Sequence, residues 1–134
     1  MTHLTTQTQV MFFDTDVGGG VHNIAYLRFV ETTRTLLAVQ LGLDWKWMQE
    51  KSIFPVILKT EIDYHKPALV GDLLDVHVHL GEASGVRFWC HFKITRPSDG
   101  ATIVSGKQAL AFVKVPEGKP LRLPKTFPNP FVPA

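Results

Sequence analysis

One helix-like segment followed by four strand-like segments is the feature that most restricts how this 134-residue chain can fold. Between residues 23 and 41, apolar residues recur every three or four positions, which is typical of an α-helix. Strand-like alternation then covers residues 54–65, 72–83, 86–96 and 101–115, with short Pro-, Gly- and Asp-containing turns between them. Consecutive strands with short turns pair antiparallel, so the pattern predicts an α+β domain whose sheet wraps around one helix.

Two further elements flank the predicted helix. Residues 4–13 favour a first strand, and residues 43–51 favour one or two helical turns with Asp44 as the N-cap. The long helix has His22 or Asn23 available as its N-cap and Gly42 at its C-terminal end. Because Tyr26 and other large side chains widen its apolar face, we expect this helix to be buried on more than one side.

The C-terminal segment differs from the rest in composition. Residues 116–134 hold six of the nine prolines, and proline lacks the N–H that a helix interior or a central strand requires. We therefore predict an extended, Pro-rich C-terminal arm at 116–134. The length and the 45% apolar content favour a single domain over residues 1–134.

Charge and cysteine content narrow the class of protein. Fourteen basic against twelve acidic residues give no strong field, so neither nucleic acid nor an anionic membrane is an expected partner. The one cysteine, Cys90, lies in an apolar strand, so we expect a buried thiol and a reducing, cytoplasmic location. No apolar run reaches the roughly 18 residues of a membrane span, and no signal peptide is visible at the N-terminus.

The segment DTDVGGGVHN, residues 14–23, joins the first strand to the helix. A helix N-terminus presents unpaired N–H groups, and glycines let another molecule approach the backbone closely. With the carboxylate of Asp16 beside those donors, the segment has the outline of an acyl-transfer centre. The alternative is that Asp16 is only a turn or cap residue, and we expect Asp14 to be an exposed turn residue.

Residues 12–37, FFDTDVGGGVHNIAYLRFVETTRTLL, resemble the signature of the 4-hydroxybenzoyl-CoA thioesterase-like (YbgC-type) acyl-CoA thioesterases. Asp16 matches the second acid of that pattern, Asn23 lies seven residues later, and Tyr26 and Leu27 follow. Residues 61–80 are similar to the second block of the family, with a basic residue and proline before a Gly-Asp turn. The resemblance implies a hotdog fold, in which an antiparallel sheet of about five strands wraps around one long central helix.

The resemblance also implies an activity and its residues. Asp16 would act as general base on water or as nucleophile in hydrolysing an acyl-CoA or acyl-carrier thioester, while the backbone amide of Asn23 would polarise the carbonyl. It implies no metal and no redox cofactor, and it implies a homodimer or homotetramer whose site lies between subunits. The residues expected to contact substrate are Gly19, His22, Tyr26 and Lys66.

Several alternatives remain open at this point. Glu31 is a second candidate acid, although an ion pair with Arg28 or Arg34, each three residues away, is the simpler interpretation. His77 and His79 share a strand face with Asp75, which could bind a metal but is more often a solvated or subunit-facing surface. At the level of function, the alternatives are a hotdog hydroxyacyl dehydratase and a non-catalytic protein that binds acyl groups or CoA.

Overall fold

The computed structural model describes residues 2–128 of the chain. It contains two α-helices, six strands and a single 3-10 turn at Phe12–Asp14 within that range. In chain order the elements are β1 (His3–Gln9), α1 (Asn23–Gln40), α2 (Trp45–Lys51), β2 (Ile53–Tyr64), β3 (Leu73–Ser84), β4 (Arg87–Arg96), β5 (Ala101–Lys114) and β6 (Lys119–Pro120).

The strands form one antiparallel sheet in the order β1-β3-β4-β5-β2, and β6 pairs with the end of β5. Helix α1 lies on the inner face, where it packs on buried residues of β3, β4 and β5 such as Val76, Ile94 and Leu110. The predicted α+β class, with a sheet of about five strands around one long helix, is confirmed. Of the predicted C-terminal arm, residues 116–128 contain the two-residue β6, and residues 129–134 lie outside the described range.

Helix α1 is capped at both ends as its sequence predicts. The His22 ring accepts the N–H of Ala25, and Gly42 follows the last turn with a φ of 88°. The expectation that α1 is buried on more than one side is wrong for this chain alone. The sheet covers only one side of the helix, which leaves Ile24 65% and Leu36 45% exposed on the other.

The first strand is shorter than predicted, since β1 ends at Gln9 and residues 10–13 do not continue it. The backbone N–H of Val10 donates to the carbonyl of Asp72, and the N–H of Met11 donates to the Asp14 carboxylate at 2.9 Å. The first bond extends the pairing by one residue, and the second leads the chain into the 3-10 turn at Phe12–Asp14. The apolar side chains of Phe12 and Phe13 are therefore 83% and 74% exposed rather than part of a strand face.

Strands β3 and β4 carry the predicted buried cysteine and the histidines considered as metal ligands. Cys90 is buried, as expected, and burial raises the pKa of its thiol to about 11. On the outer face of the sheet, the ring of His79 stacks on that of His91 at 4.8 Å, and His77 lies within hydrogen-bond distance of Thr5. Among residues 2–128, no helix has the length and apolar content to cross a membrane.

Candidate active site

The loop between β1 and α1 takes its shape from backbone hydrogen bonds. The N–H of Asp16 donates to the carbonyl of Gly20, and the N–H of Gly19 donates to the carbonyl of Asp16, both at 3.0 Å. Gly19 has a backbone φ of 79°, a value that residues with a Cβ rarely adopt. Val21 then donates to the carbonyl of Ala68 at 3.0 Å, so the loop leans on the turn that precedes β3.

Asp16 lies at the exposed tip of this loop. Its Oδ1 accepts the N–H of Gly18 at 3.0 Å, which fixes the orientation of the carboxylate. Within residues 2–128 no donor is bound to its Oδ2. One carboxylate oxygen is therefore free to accept a proton or to contact a ligand, and in the isolated chain it faces open surface rather than a cleft.

Asn23 is the first residue of α1, and its backbone N–H has no acceptor in the described part of the chain. Unpaired donors of this kind, together with the partial positive charge of the helix start, stabilise negative charge on an oxygen. No hydrogen bond joins Asn23 to Asp16 among residues 2–128. The neighbouring His22 uses its Nδ1 as the cap for Ala25, while its Nε2 lies 3.4 Å from the carbonyl of Phe13.

Asp14 does not behave as the sequence predicts, because it is only 3% exposed. Its Oδ2 accepts the N–H of Met11, and its Oδ1 lies 3.7 Å from the guanidinium of Arg28 on α1. Its carbonyl also accepts the N–H of His22 at 3.0 Å. Asp14 therefore ties β1, the loop and α1 together, which is the reason for its burial. The one sequence signal for this contact was an arginine on the following helix.

The turn at 66–72 supports the loop from the other side. The Tyr26 hydroxyl, buried under this turn, accepts the N–H of Ala68 at 3.1 Å, and burial raises the pKa of the phenol. Arg96 donates to the Asp72 carboxylate at 2.9 Å and to the carbonyl of Pro67 at 3.1 Å. These bonds commit the Arg96 side chain to holding the turn.

Lys66 lies at the start of the same turn and lines an open depression on the protein surface with His65 and Lys93. One residue, Pro67, separates Lys66 from Ala68, which bounds the distance between their Cα atoms at about 7 Å. Since the carbonyl of Ala68 accepts the N–H of Val21, the turn that begins at Lys66 contacts the Asp16 loop. The depression is lined by two lysines and a histidine, and also by the carboxylate-bearing Asp99. Lysine ammonium groups of this kind can bind phosphate.

Among residues 2–128, Glu31 makes no hydrogen bond with Asp14 or Asp16. Its Oε1 lies 3.8 Å from the guanidinium of Arg34, and its side chain is 63% exposed. The predicted ion pair with an arginine three residues away is present.

The loop that carries Asp16 also has an exposed apolar surface. It is formed on the loop and the first turn of α1 by Phe12, Phe13, Val17 and Ile24.

Three comparisons relate this chain to known proteins. The family model described as the Thioesterase-like superfamily matches residues 10–131. The acyl-CoA thioesterase YbgC of Haemophilus influenzae is 30% identical over 120 residues, which cover 87% of this chain and 85% of that protein.

Solved structures share the fold. The crystal structure of Slr0204, a 1,4-dihydroxy-2-naphthoyl-CoA thioesterase from Synechocystis, superposes with a TM-score of 0.82 at 24% identity, covering 91% of this chain and 90% of that one. The DHNA-CoA thioesterase from Staphylococcus aureus gives a TM-score of 0.84 at 22% identity, covering 96% and 85%. At these identities the likeness is one of architecture.

Proposed function

Because this chain belongs to the Thioesterase-like superfamily, we propose that it hydrolyses acyl-CoA thioesters, with Asp16 and the amide of Asn23 as its reactive groups. The hotdog fold and the kinship with YbgC-type thioesterases, both predicted from the sequence, are confirmed. The enzyme class, a thioester hydrolase, agrees with the relatives' names. The roles of individual residues are our proposal.

The observation that carries the proposal is that a carboxylate oxygen and a helix-start N–H, both without partners within residues 2–128, belong to one loop–helix junction. A thioester carbonyl that accepts the N–H of Asn23 becomes more electrophilic, and its oxygen gains negative charge that the helix start stabilises. Asp16 then takes a proton from an attacking water or attacks the carbonyl itself.

We retain Gly19, His22 and Lys66 as proposed substrate contacts. Tyr26 was expected to contact substrate too, but it is only 4% exposed, so we propose that it positions a turn instead. An added Cβ at Gly19 would meet no atom within 4 Å, so the backbone there is open to an approaching acyl group. Tyr26 contributes by holding the 66–72 turn. Lys66, with Lys93, is placed to attract the phosphates of CoA, and His22 lies between Asp16 and Asn23 in the chain.

We also propose that the active form is a homodimer or homotetramer in which a second copy covers the Asp16 loop. The exposed phenylalanines beside the loop, Phe12 and Phe13, are the kind of apolar patch that marks an interface. Strands β1 and β2 both have an edge that no described strand covers. A second copy would turn the open surface at Asp16 into a cleft that shields the thioester carbonyl from bulk solvent and still admits the attacking water.

The test measures release of the CoA thiol from short-chain, long-chain and aromatic acyl-CoAs. Replacing Asp16→Asn removes the carboxylate, and we expect kcat to fall by about 10²–10⁴-fold while the protein remains folded. Glu117→Gln, which neutralises an exposed acid in a distant turn, is the matched control and should keep full activity. If wild type and Asp16→Asn are equally inactive on every acyl-CoA, the hydrolase proposal fails and a non-catalytic binding function replaces it.

A further inference from the structure

A cavity of about 230 Å³ lies between the second half of α1 and the inner face of the sheet. Its walls are mainly apolar, with Leu37 on the helix and Leu110 and Phe112 on β5, and its charged lining residues are Arg34, Glu31 and Asp44. An apolar cavity of about 150 Å³ is large enough to hold benzene. This one has room for a ring or a short chain, and no residue of the Asp16 loop is among the described residues that line it.

Arg34 contributes a positive charge to this apolar wall. Its side chain is only 14% exposed, and it donates a hydrogen bond to the side-chain oxygen of Gln108, which is itself buried. Gln108 donates in turn to the hydroxyl of Thr60 at 3.2 Å. The guanidinium is thus held in place by a neutral side chain and by the helix that carries it.

The charge of Arg34 is poorly compensated. Among residues 2–128, Glu31 alone has a carboxylate within ion-pair distance, and that contact is 3.8 Å long and largely exposed to water. Burial lowers the pKa of Arg34, which reflects the free energy required to keep a cation in this surrounding. Buried charges in proteins are normally paired closely, so an arginine of this kind at a cavity wall is a site for an anion.

The planar guanidinium matches a carboxylate, which it can bind through two parallel hydrogen bonds. We propose that this cavity binds an apolar chain or ring that ends in a carboxylate, with the carboxylate on Arg34 and the apolar body against Leu110 and Phe112. Such a ligand would place a carboxylate in closer contact with Arg34 than the exposed Glu31 makes, and it would fill space that the side chains leave open.

Two kinds of ligand combine an apolar body with a terminal carboxylate. One is a free carboxylic acid, and the other is the far carboxyl group of a dicarboxylic acyl chain bound through its thioester at Asn23. Arg34 follows Asn23 by eleven residues, or about 16 Å along the helix axis, so the second source requires a long chain. The second source rests on the proposed function, whereas the first does not.

The first experiment titrates sodium octanoate, below its micelle concentration, into the full-length protein and follows backbone NMR signals. We expect signals of cavity residues to shift, and we expect Arg34→Met to weaken binding about 10-fold or more. Arg87→Met, which removes an exposed arginine on β4, is the matched control and should bind octanoate as wild type does. The probe 1-octanol, which has no charge, should bind wild type and Arg34→Met alike.

A second variant guards against misfolding of Arg34→Met. Ala38 lines the cavity from α1 and is only half-buried, so Ala38→Phe should fill the cavity and reduce octanoate binding with Arg34 intact. Equal octanoate affinity in wild type and Arg34→Met, or signal shifts outside the cavity only, would overturn the free-acid source.

The second experiment compares hydrolysis of hexadecanoyl-CoA with that of hexadecanedioyl-CoA, which differs only in its far carboxyl group. If kcat/KM is higher for the dicarboxylic substrate, and Arg34→Met removes this preference, the ligand is the dicarboxylic acyl chain. Octanoate binding without this preference identifies the free acid. The proposal is wrong if neither Arg34-dependent effect is found. Octanoate binding by a protein that hydrolyses no thioester would reject the proposed function and leave this site standing.

Discussion

The carboxylate of Asp14 accepts the backbone N–H of Met11 at 2.9 Å and thereby ties the end of β1 to the loop that carries Asp16. Replacing Asp14→Ala leaves this donor without its partner, and we expect a loss of about 1–3 kcal/mol in the free energy of unfolding. Urea titration of wild type and variant measures the loss. Asp14→Asn keeps an oxygen that can accept the bond and should lose less, whereas equal losses would contradict the hydrogen-bond explanation.

Lys66 is expected to act on the CoA part of the substrate and not on the chemistry. Lys66→Met should raise KM for an acyl-CoA several-fold with little change in kcat, because one phosphate contact is lost. The same acyl group on pantetheine, which lacks the nucleotide phosphates, should show no change in KM. Lys46→Met on α2 is the matched control, and an equal effect of both substitutions would reject the role of Lys66.

Gly19 tests whether the shape of the loop matters for hydrolysis. Gly19→Ala places a Cβ on a residue with a φ of 79°, which costs about 1–2 kcal/mol of backbone strain although no atom lies in its way. We expect lower thermal stability and a lower kcat. At Gly20 an added Cβ also meets nothing within 4 Å and φ is not positive, so Gly20→Ala should keep both. A fully active Gly19→Ala would show that the loop tolerates other shapes.

Arg96 and Asp99 give a prediction for pH. Hydrogen bonds from Arg96 lower the pKa of Asp99 to about 2. A carboxylate whose pKa is lower in the folded than in the unfolded state stabilises the fold above about pH 4. That contribution is lost as the pH falls from about 4 towards 2. NMR titration of the Asp99 carboxyl carbon should therefore give a midpoint near 2.

In Arg96→Met the Asp99 midpoint should return towards its ordinary value, because its largest cause is removed. The same substitution should loosen the 66–72 turn, since Arg96 also bonds to Pro67 and Asp72. Arg87→Met serves again as the exposed-arginine control. An unchanged Asp99 midpoint in Arg96→Met would show that another group lowers the pKa.

The elements of the fold follow from local patterns that a sequence displays directly. The helical spacing at 23–41 and the alternation in four strands predict α1 and β2–β5 to within one or two residues at most ends. The end of β1 could not be predicted, because the strand gives way to a turn in which the N–H of Met11 donates to the Asp14 carboxylate. Asp14 and Asp16 are two residues apart, and Asp14 is the one that turns inward. Its partner Arg28 lies a turn and a half along the next helix.

Contacts between residues far apart in the chain could not be predicted from local sequence patterns, because they form only in the folded sheet. Arg34 and Gln108 are 74 residues apart, and only the folded sheet brings them together. The sequence does contain a signal that was not used, namely a glutamine among the apolar residues of β5. The role of Arg96 likewise depends on the fold, since its acidic partners come from a turn 24 residues earlier and from the hairpin after β4.

The burial of Cys90 has a practical consequence for measuring this protein. Its thiol is 1% exposed and has a pKa of about 11, so at neutral pH it is almost wholly protonated and shielded from reagents. It is also the one cysteine in the chain. A disulfide dye that reports each CoA set free will therefore register the product with no background from the folded protein, and a cysteine introduced at the exposed Val17 could carry a probe alone.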